Sequence, residues 1–215
     1  MTEIKQISCK MVNTYLLKGK NGAVLVDTGE TADQEKILKA CENANVRLLV
    51  LTHGHIDHIQ NGAYLAQQLH VPIAMHPKDA ELIRNQFAQA MESTGLFGKI
   101  LAAASKSKMK KNQIEPFDPE LFLQEGDSLE PYGVQASVME LPGHTKGSIG
   151  LDVEGRAVIA GDALMHMLRP GEASIYADRE KLKESAKRIT ALGNRTIYFG
   201  HGMPVPNRNW ISDWY

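Results

Sequence analysis

The sequence predicts an α/β fold made of two related halves. Short β-rich runs alternate with segments of helical period. One order of features (strand, aspartate, helix, strand, histidine) occurs twice along the chain. The loops that follow the apolar runs collect histidines, aspartates and glycines. At 215 residues the chain is expected to be a single domain, 1–215, since one core of this size buries roughly 70% of the unfolded surface.

Taken in order, Val12 to Leu17 and Ala23 to Asp27 are β-rich runs separated by Lys-Gly-Lys-Asn-Gly, which is turn chemistry and predicts a hairpin. Thr31 and Gln34 have the spacing of a capping box, and Ile37, Leu38, Cys41 and Ala44 behind them keep a helical period. The apolar run Leu48 to Leu51 predicts a buried strand leading to His53. Pro72 to His76 reads as a further strand, and Lys78 to Met91 as a helix carrying Leu82, Ile83, Phe87 and Ala90.

Residues 93–119 read as an insertion, apolar at Leu96, Phe97, Ile100 and Leu101 and lysine-rich from Lys106 to Lys111. Its place between the halves makes it a candidate lid. Val134 to Leu141 returns to β character. Ala157 to Asp162 then echoes Ala23 to Asp27, a helix from Asp178 buries Leu182, Ala186, Ile189 and Leu192, and the strand Thr196 to Phe199 leads to His201.

The densest chemical signal is Thr52-His53-Gly54-His55-Ile56-Asp57-His58, four candidate metal ligands within six residues after an apolar strand. On an extended segment His53 and His55 point the same way, while Asp57 and His58 diverge as the chain turns into a helix. One loop can therefore serve two adjacent ions. Imidazole and carboxylate are donors that suit zinc. Three later residues add to the set: His144 in Pro-Gly-His-Thr, Asp162 in Ala-Gly-Asp, and His201 in Gly-His-Gly. The neighbouring glycines let backbone approach a crowded site. His70, His76 and His166 find no partner in this scheme, although His166 and Arg169 lie near enough to Asp162 in sequence to be considered for substrate contact.

Composition narrows the partners. With 24 basic against 25 acidic residues the net charge is −1, which provides no field to recruit nucleic acid or an anionic membrane. The N-terminal residues lack an apolar signal core and no apolar stretch reaches roughly 18 residues, so a cytoplasmic location is expected. Cys9 and Cys41 stand in no metal spacing and are expected as reduced, partly buried thiols. A small-molecule substrate is expected, and self-association is left open. Neither a Gly-x-Ser-x-Gly elbow nor a Gly-rich phosphate loop is present.

His-x-His-x-Asp-His, then Pro-Gly-His-Thr, Gly-Asp and a final strand ending in Gly-His together resemble the metallo-β-lactamase superfamily over nearly the whole chain. The resemblance implies a four-layer αββα fold with the site at the strand ends. It implies two divalent metal ions, zinc first and iron or manganese as alternatives, with His53, His55 and His144 on one, Asp57, His58 and His201 on the other, and Asp162 between them. Asp27 would support the site from behind. The implied reaction is hydrolysis of a thioester, ester or lactone carbonyl by metal-activated hydroxide, with Asp57 orienting the nucleophile.

Within the family, Asp162 stands where similar zinc β-lactamases carry cysteine or serine, which argues against antibiotic hydrolysis. His55 stands where flavodiiron proteins carry glutamate. The set is similar to that of glyoxalase II enzymes and acyl-homoserine lactonases. Only 14 residues follow His201, so the helical C-terminal domain that helps some glyoxalase II enzymes bind glutathione is not expected. Two alternatives remain at this stage: a persulfide dioxygenase-like oxygenase with one iron at His53, His144 and Asp162, and a metal-dependent phosphodiesterase or nuclease.

Overall fold

Alternation along the strands decides the architecture. In Tyr15, Leu16 and Leu17, and again in Val24, Leu25 and Val26, successive side chains are buried on opposite faces of one sheet, so both faces must be covered. The computed structural model describes residues 1–210, and these form a four-layer αββα sandwich.

In the first half, β1 (Glu3–Cys9), β2 (Val12–Lys18) and β3 (Ala23–Val26) form an antiparallel meander. The helix α1 (Gln34–Cys41) crosses over and returns the chain as β4 (Val46–Val50), parallel to β3. Next come α2 (Ile56–Ile59), α3 (Gly62–Leu69) and β5 (Ile73–Met75), the last parallel to β4. β6 (Glu92–Ser93) and α4 (Gly95–Lys111) precede β7 (Leu121–Phe122), which closes a six-stranded sheet in the order β1-β2-β3-β4-β5-β7.

In the second half, β8 (Ala136–Glu140), β9 (Ile149–Val153) and β10 (Ala157–Ile159) are again an antiparallel meander. β11 (Leu164–His166) pairs with β12 (Pro170–Glu172), and β13 (Ile175–Tyr176) pairs with β6. The helix α5 (Arg179–Ala191), capped by Asp178 accepting from the Lys181 amide, then leads to β14 (Thr196–Tyr198), parallel to β10, and to β15 (Val205–Pro206) at the edge of the second sheet. Three antiparallel strands, a crossover helix and a parallel strand therefore occur in both halves, and the repeat read in the sequence is real.

Between the sheets, Tyr15, Leu17, Val24, Val26, Leu48 and Val50 meet Val138, Ile149, Leu151 and Ile159. Outside the first sheet, Leu16, Leu25 and Leu49 pack on Ile37, Cys41 and Leu65 of α1 and α3. Outside the second, Val158 and Ile197 pack on Ala186 and Ile189 of α5. Burying each such side chain is worth about 1.5–3 kcal/mol before the entropy of ordering is subtracted.

Three expectations change. The helix over 78–91 is a 3-10 segment, Pro77–Ile83, and ends there, because the side chains beyond it bond elsewhere. Gln86 is tied to the Gly54 carbonyl and the Ile56 amide, and Gln89 to Asp79 and Lys146. The capping box falls one residue earlier, with Glu30 and Asp33 in the roles assigned to Thr31 and Gln34. Residues 93–119 contain the 17-residue helix α4, and its apolar residues do not act together: Leu96 and Ile100 are exposed, while Leu101 turns towards the site. No helix among the described residues is long and apolar enough to cross a membrane.

Candidate metal centre

All seven sequence-derived ligands converge at one end of the sandwich. The turn from β4 into α2 carries His53, His55, Asp57 and His58; loops after β8, β10 and β14 bring His144, Asp162 and His201. Ring centroids of His53 lie 4.9 Å from His55 and 4.8 Å from His144, and those of His55 and His144 are 4.6 Å apart. Their donor atoms form one cluster that could hold an ion, and Asp57, His58 and His201 form another. Asp162 lies between them: Oδ2 is 3.6 Å from His144 Nε2 and 3.2 Å from His201 Nε2, and Oδ1 is 3.6 Å from His58 Nε2. Gly200 makes this approach feasible, since a Cβ there would stand 2.0 Å from Asp162 Oδ1.

The hydrogen-bond network fixes which imidazole nitrogen faces inward. His58 donates from Nδ1 to Asp27 Oδ2 at 2.8 Å, His144 donates from Nδ1 to the Ile175 carbonyl at 2.8 Å, and His201 donates from Nδ1 to the Met11 carbonyl. The Thr52 hydroxyl gives its proton to Asp27 and so accepts from His53 Nδ1 at 3.1 Å. In each of these four rings Nε2 turns to the site, where that of His144 lies 2.8 Å from His55 Nδ1, the arrangement in which an outer acceptor orients a metal-binding histidine. Asp27 does more than the sequence implied. From a left-handed backbone (φ 61°) it accepts from the Thr52 amide and hydroxyl as well as from His58.

Asp79 escaped the sequence reading. Fully buried, it accepts from Gly54 N at 2.9 Å, Thr145 Oγ1 at 2.6 Å, Gly147 N at 2.8 Å and Gln89 Nε2 at 2.8 Å. It therefore ties the His53–His55 turn of the first half to the His144 loop of the second. Its sequence context, an acid in an expected amphipathic helix, gave no signal. His76 lies apart from the cluster, bonded to Glu140, and His70 caps α3 at the surface. His166 donates to the Met203 carbonyl, and Arg169 lines a neighbouring cavity.

Charge in the cluster is divided. Burial and the adjacent His144 hold His55 down at about 3, and burial likewise lowers His53 and His144. Burial also opposes a proton on His201, but Asp162, Asp57 and the Met11 carbonyl outweigh it and lift the ring to about 10. His58 is raised in the same way, against burial, by Asp162 and Asp27. Burial pulls the two carboxyls up, yet the surrounding histidines prevail, leaving Asp57 at about 2 and Asp162 well below the usual range. The two carboxylates thus face His201, which holds a proton near pH 7, and His58, shifted in the same direction, positions that a cation would fill by displacing protons.

The residues present fit a metal pair. Nε2 of His53 and of His58 and Oδ1 of Asp162 are buried without a hydrogen-bonding partner in the protein, and such groups are costly unless something polar or charged meets them. The donor set is imidazole and carboxylate, which suits zinc or iron. Above the cluster lies a chamber of about 190 Å³ walled by α4. Lys108 of α4 reaches into it, 2.9 Å from Glu30 and 3.7 Å from Asp57.

A double-sheet sandwich with a cluster of histidines and aspartates at its strand ends defines an α/β protein with a candidate metal site. The chain belongs to the metallo-beta-lactamase superfamily, whose family model matches residues 7–201. Members of that superfamily use divalent metals at His/Asp sites. The chain is similar to the hydroxyacylglutathione hydrolase GloC of Haemophilus influenzae, 32% identical over 67% of this chain and 62% of that one. It is also similar to the acyl-coenzyme A thioesterase MBLAC2 of Bos taurus, 29% identical over 71% of this chain and 58% of that one. Among solved structures, TTHA1623 in a di-iron-bound form matches with a TM-score of 0.70 and 26% identity, covering 97% of this chain and all of the other.

Proposed function

We propose that the protein is a two-metal hydrolase acting on a carbonyl substrate, a thioester first and an ester or lactone next. The observation that carries this reading is the position of Asp162, whose carboxylate touches histidines of both ligand clusters at once. His53, His55 and His144 would hold one ion, Asp57, His58 and His201 the other, and Asp162 both. When bound, such a pair supplies water with a pKa lowered to about 7 and polarises a carbonyl oxygen.

The chain's own groups supply the rest. Asp57, ionised at neutral pH and about a quarter exposed, would orient the attacking water by accepting a hydrogen bond through its carboxylate. Asp27 and Asp79 hold the ligand loops so that the histidines need not reorganise on binding. The names of GloC and MBLAC2 support a hydrolase, and the latter a thioesterase. Zinc is the ion proposed first on donor chemistry, and iron second, because TTHA1623 holds two irons.

Metal analysis of protein purified without added metal, followed by a panel of thioesters, esters, lactones and phosphodiesters, tests the reading. We expect about two equivalents of metal and carbonyl substrates cleaved at least tenfold faster than phosphodiesters. One iron per chain with oxygen uptake, or preferred cleavage of the phosphodiester, would overturn it.

A further inference from the structure

The chamber over the cluster is lined by two unlike sets of residues. One is the set of candidate ligands. The other is apolar and unusually rich in one residue type: Met11, Met91, Met109, Met165 and Met167 line it, five of the nine methionines in the whole chain. Leu101 and Ala104 of α4, with Ile56 and Ile175, complete that apolar lining. Methionine is unbranched and adapts its shape, so a wall of it accepts flexible apolar chains better than rigid or hydrogen-bonding groups.

Apart from the candidate ligands, the polar lining is confined to Ser105 and Lys108, and Lys108 is already committed to Glu30 and Asp57. The lysine-rich end of α4 therefore provides no anion anchor inside. Lys106, Lys110 and Lys111 are exposed outside the chamber. A second, larger cavity of about 450 Å³ shares Met165 and Met167 with the first and is lined by Arg169, Arg208 and Glu172. Its charged groups stand among Leu96, Phe97, Leu168 and Trp210, a mixed wall that suits an amphipathic other half of the substrate.

We propose that the methionine-lined chamber binds the acyl half of the substrate, a straight hydrocarbon chain of medium length whose carbonyl lies at the metal cluster. The assignment of that chain as an acyl group rests on the hydrolase reading above. Length follows from volume: a cavity of about 150 Å³ holds a six-carbon ring, so 190 Å³ corresponds to a chain of about six to eight carbons. Ala104 and Met91 both line the chamber, the first small and the second compressible, so a substitution at either changes its length.

The test is a series of acyl thioesters of one thiol, from acetyl to dodecanoyl, on the metal-loaded enzyme, with calorimetric binding of octanoate and acetate to protein with and without metal. We expect kcat/KM to rise about fourfold per methylene, as burial of one CH₂ implies, up to six to eight carbons and then to level or fall. Octanoate should bind more than 50-fold tighter than acetate. Ala104→Trp should shift the optimum to two to four carbons and abolish octanoate binding, lowering octanoyl turnover far more than acetyl turnover, and Met91→Ala should lengthen the optimum by about two carbons.

Acyl substrates cleaved with no dependence on chain length, or octanoate bound equally by Ala104→Trp, would overturn the inference and leave the hydrolase reading intact. Octanoate binding that is lost in Ala104→Trp, with no thioester turned over, would support the chamber and sink the hydrolase reading instead.

Discussion

The two halves of the sandwich share a fold and divide the site unequally. The first half places four candidate ligands on one turn of seven residues, 52–58. The second places three, each on its own loop after its own strand. The first arrangement is locally complete, because Asp27 at the end of β3 braces His58 and Thr52 within the same half. The second is completed only across the interface, by Asp79 of the first half, which accepts from the His144 loop, and by Asp162 reaching the histidines of both clusters. Duplicated architecture thus gave one half a dense loop and the other the groups that join the clusters.

The sharpest way to break this comparison is Asp162→Asn. A joining carboxylate lost should empty both ion positions and lower kcat/KM by more than roughly 100-fold, beyond what loss of outer partners costs; His201→Ala should remove only one equivalent. Equal metal content in Asp162→Asn and His201→Ala, measured by elemental analysis, would mean that Asp162 does not serve both clusters.

Asp79→Asn tests the cross-half brace. The amide can keep accepting at one atom but turns an N–H towards a donor at the other. We expect a loss of about 2–4 kcal/mol in unfolding free energy, from buried charge-assisted hydrogen bonds, and a roughly 10–100-fold drop in metal affinity. A chemical denaturation curve unchanged from the parent would show that the halves hold together without it.

The charge pattern predicts opposite pH slopes for the metal-free and metal-loaded protein. His201, raised to about 10, and His58, raised as well, hold protons that the unfolded chain releases near pH 6.5. The His201 contribution to metal-free stability is full below that pH and fades as pH rises through about 10, and that of His58 has the same sign. The histidines lowered by burial are neutral in both states above pH 7 and add no slope there. Metal binding expels the same protons, so affinity should grow over pH 6.5–9. Melting temperatures that rise with pH in the metal-free protein would contradict the assignment.

The smallest effect is expected at Lys108. Partly exposed, its pairs with Glu30 and Asp57 are worth about 0–1 kcal/mol. Lys108→Gln should leave metal content alone, lower the melting temperature by only about 1–3 °C, and change KM more than kcat. A change in kcat with KM fixed would place Lys108 in the chemistry rather than in the attachment of α4.

The same asymmetry explains what the sequence disclosed. The turn at 52–58 is legible because its ligands are close in the chain, and the strands covered on both faces are legible because they read as unbroken apolar runs, as at Ala23–Val26 and Leu48 to Leu51. His144, Asp162 and His201 are single residues among glycines, and only their resemblance to a family pattern connects them. Asp79 is silent because its four partners come from three separate segments. The region 84–91 was misread as helix because Leu82, Ile83 and Phe87 have helical spacing, while Gln86 and Gln89 are bonded to neighbouring loops and Phe87 is exposed. β1 and β9 went unread since Glu3–Cys9 is a half-exposed edge and Ile149–Val153 carries Gly150 and Asp152.

Gly200 has a bearing on how such chains are sorted. It contributes no ligand, yet a single methyl group there would occupy the space of the Asp162 carboxylate and press on His58. A relative with every histidine and aspartate in place and alanine at this position would pass any inventory of the motif and still lack room for its own joining carboxylate. A survey of genomes that scores donors alone would count that chain among the active enzymes; one that also scores the empty volume beside Asp162 would separate it.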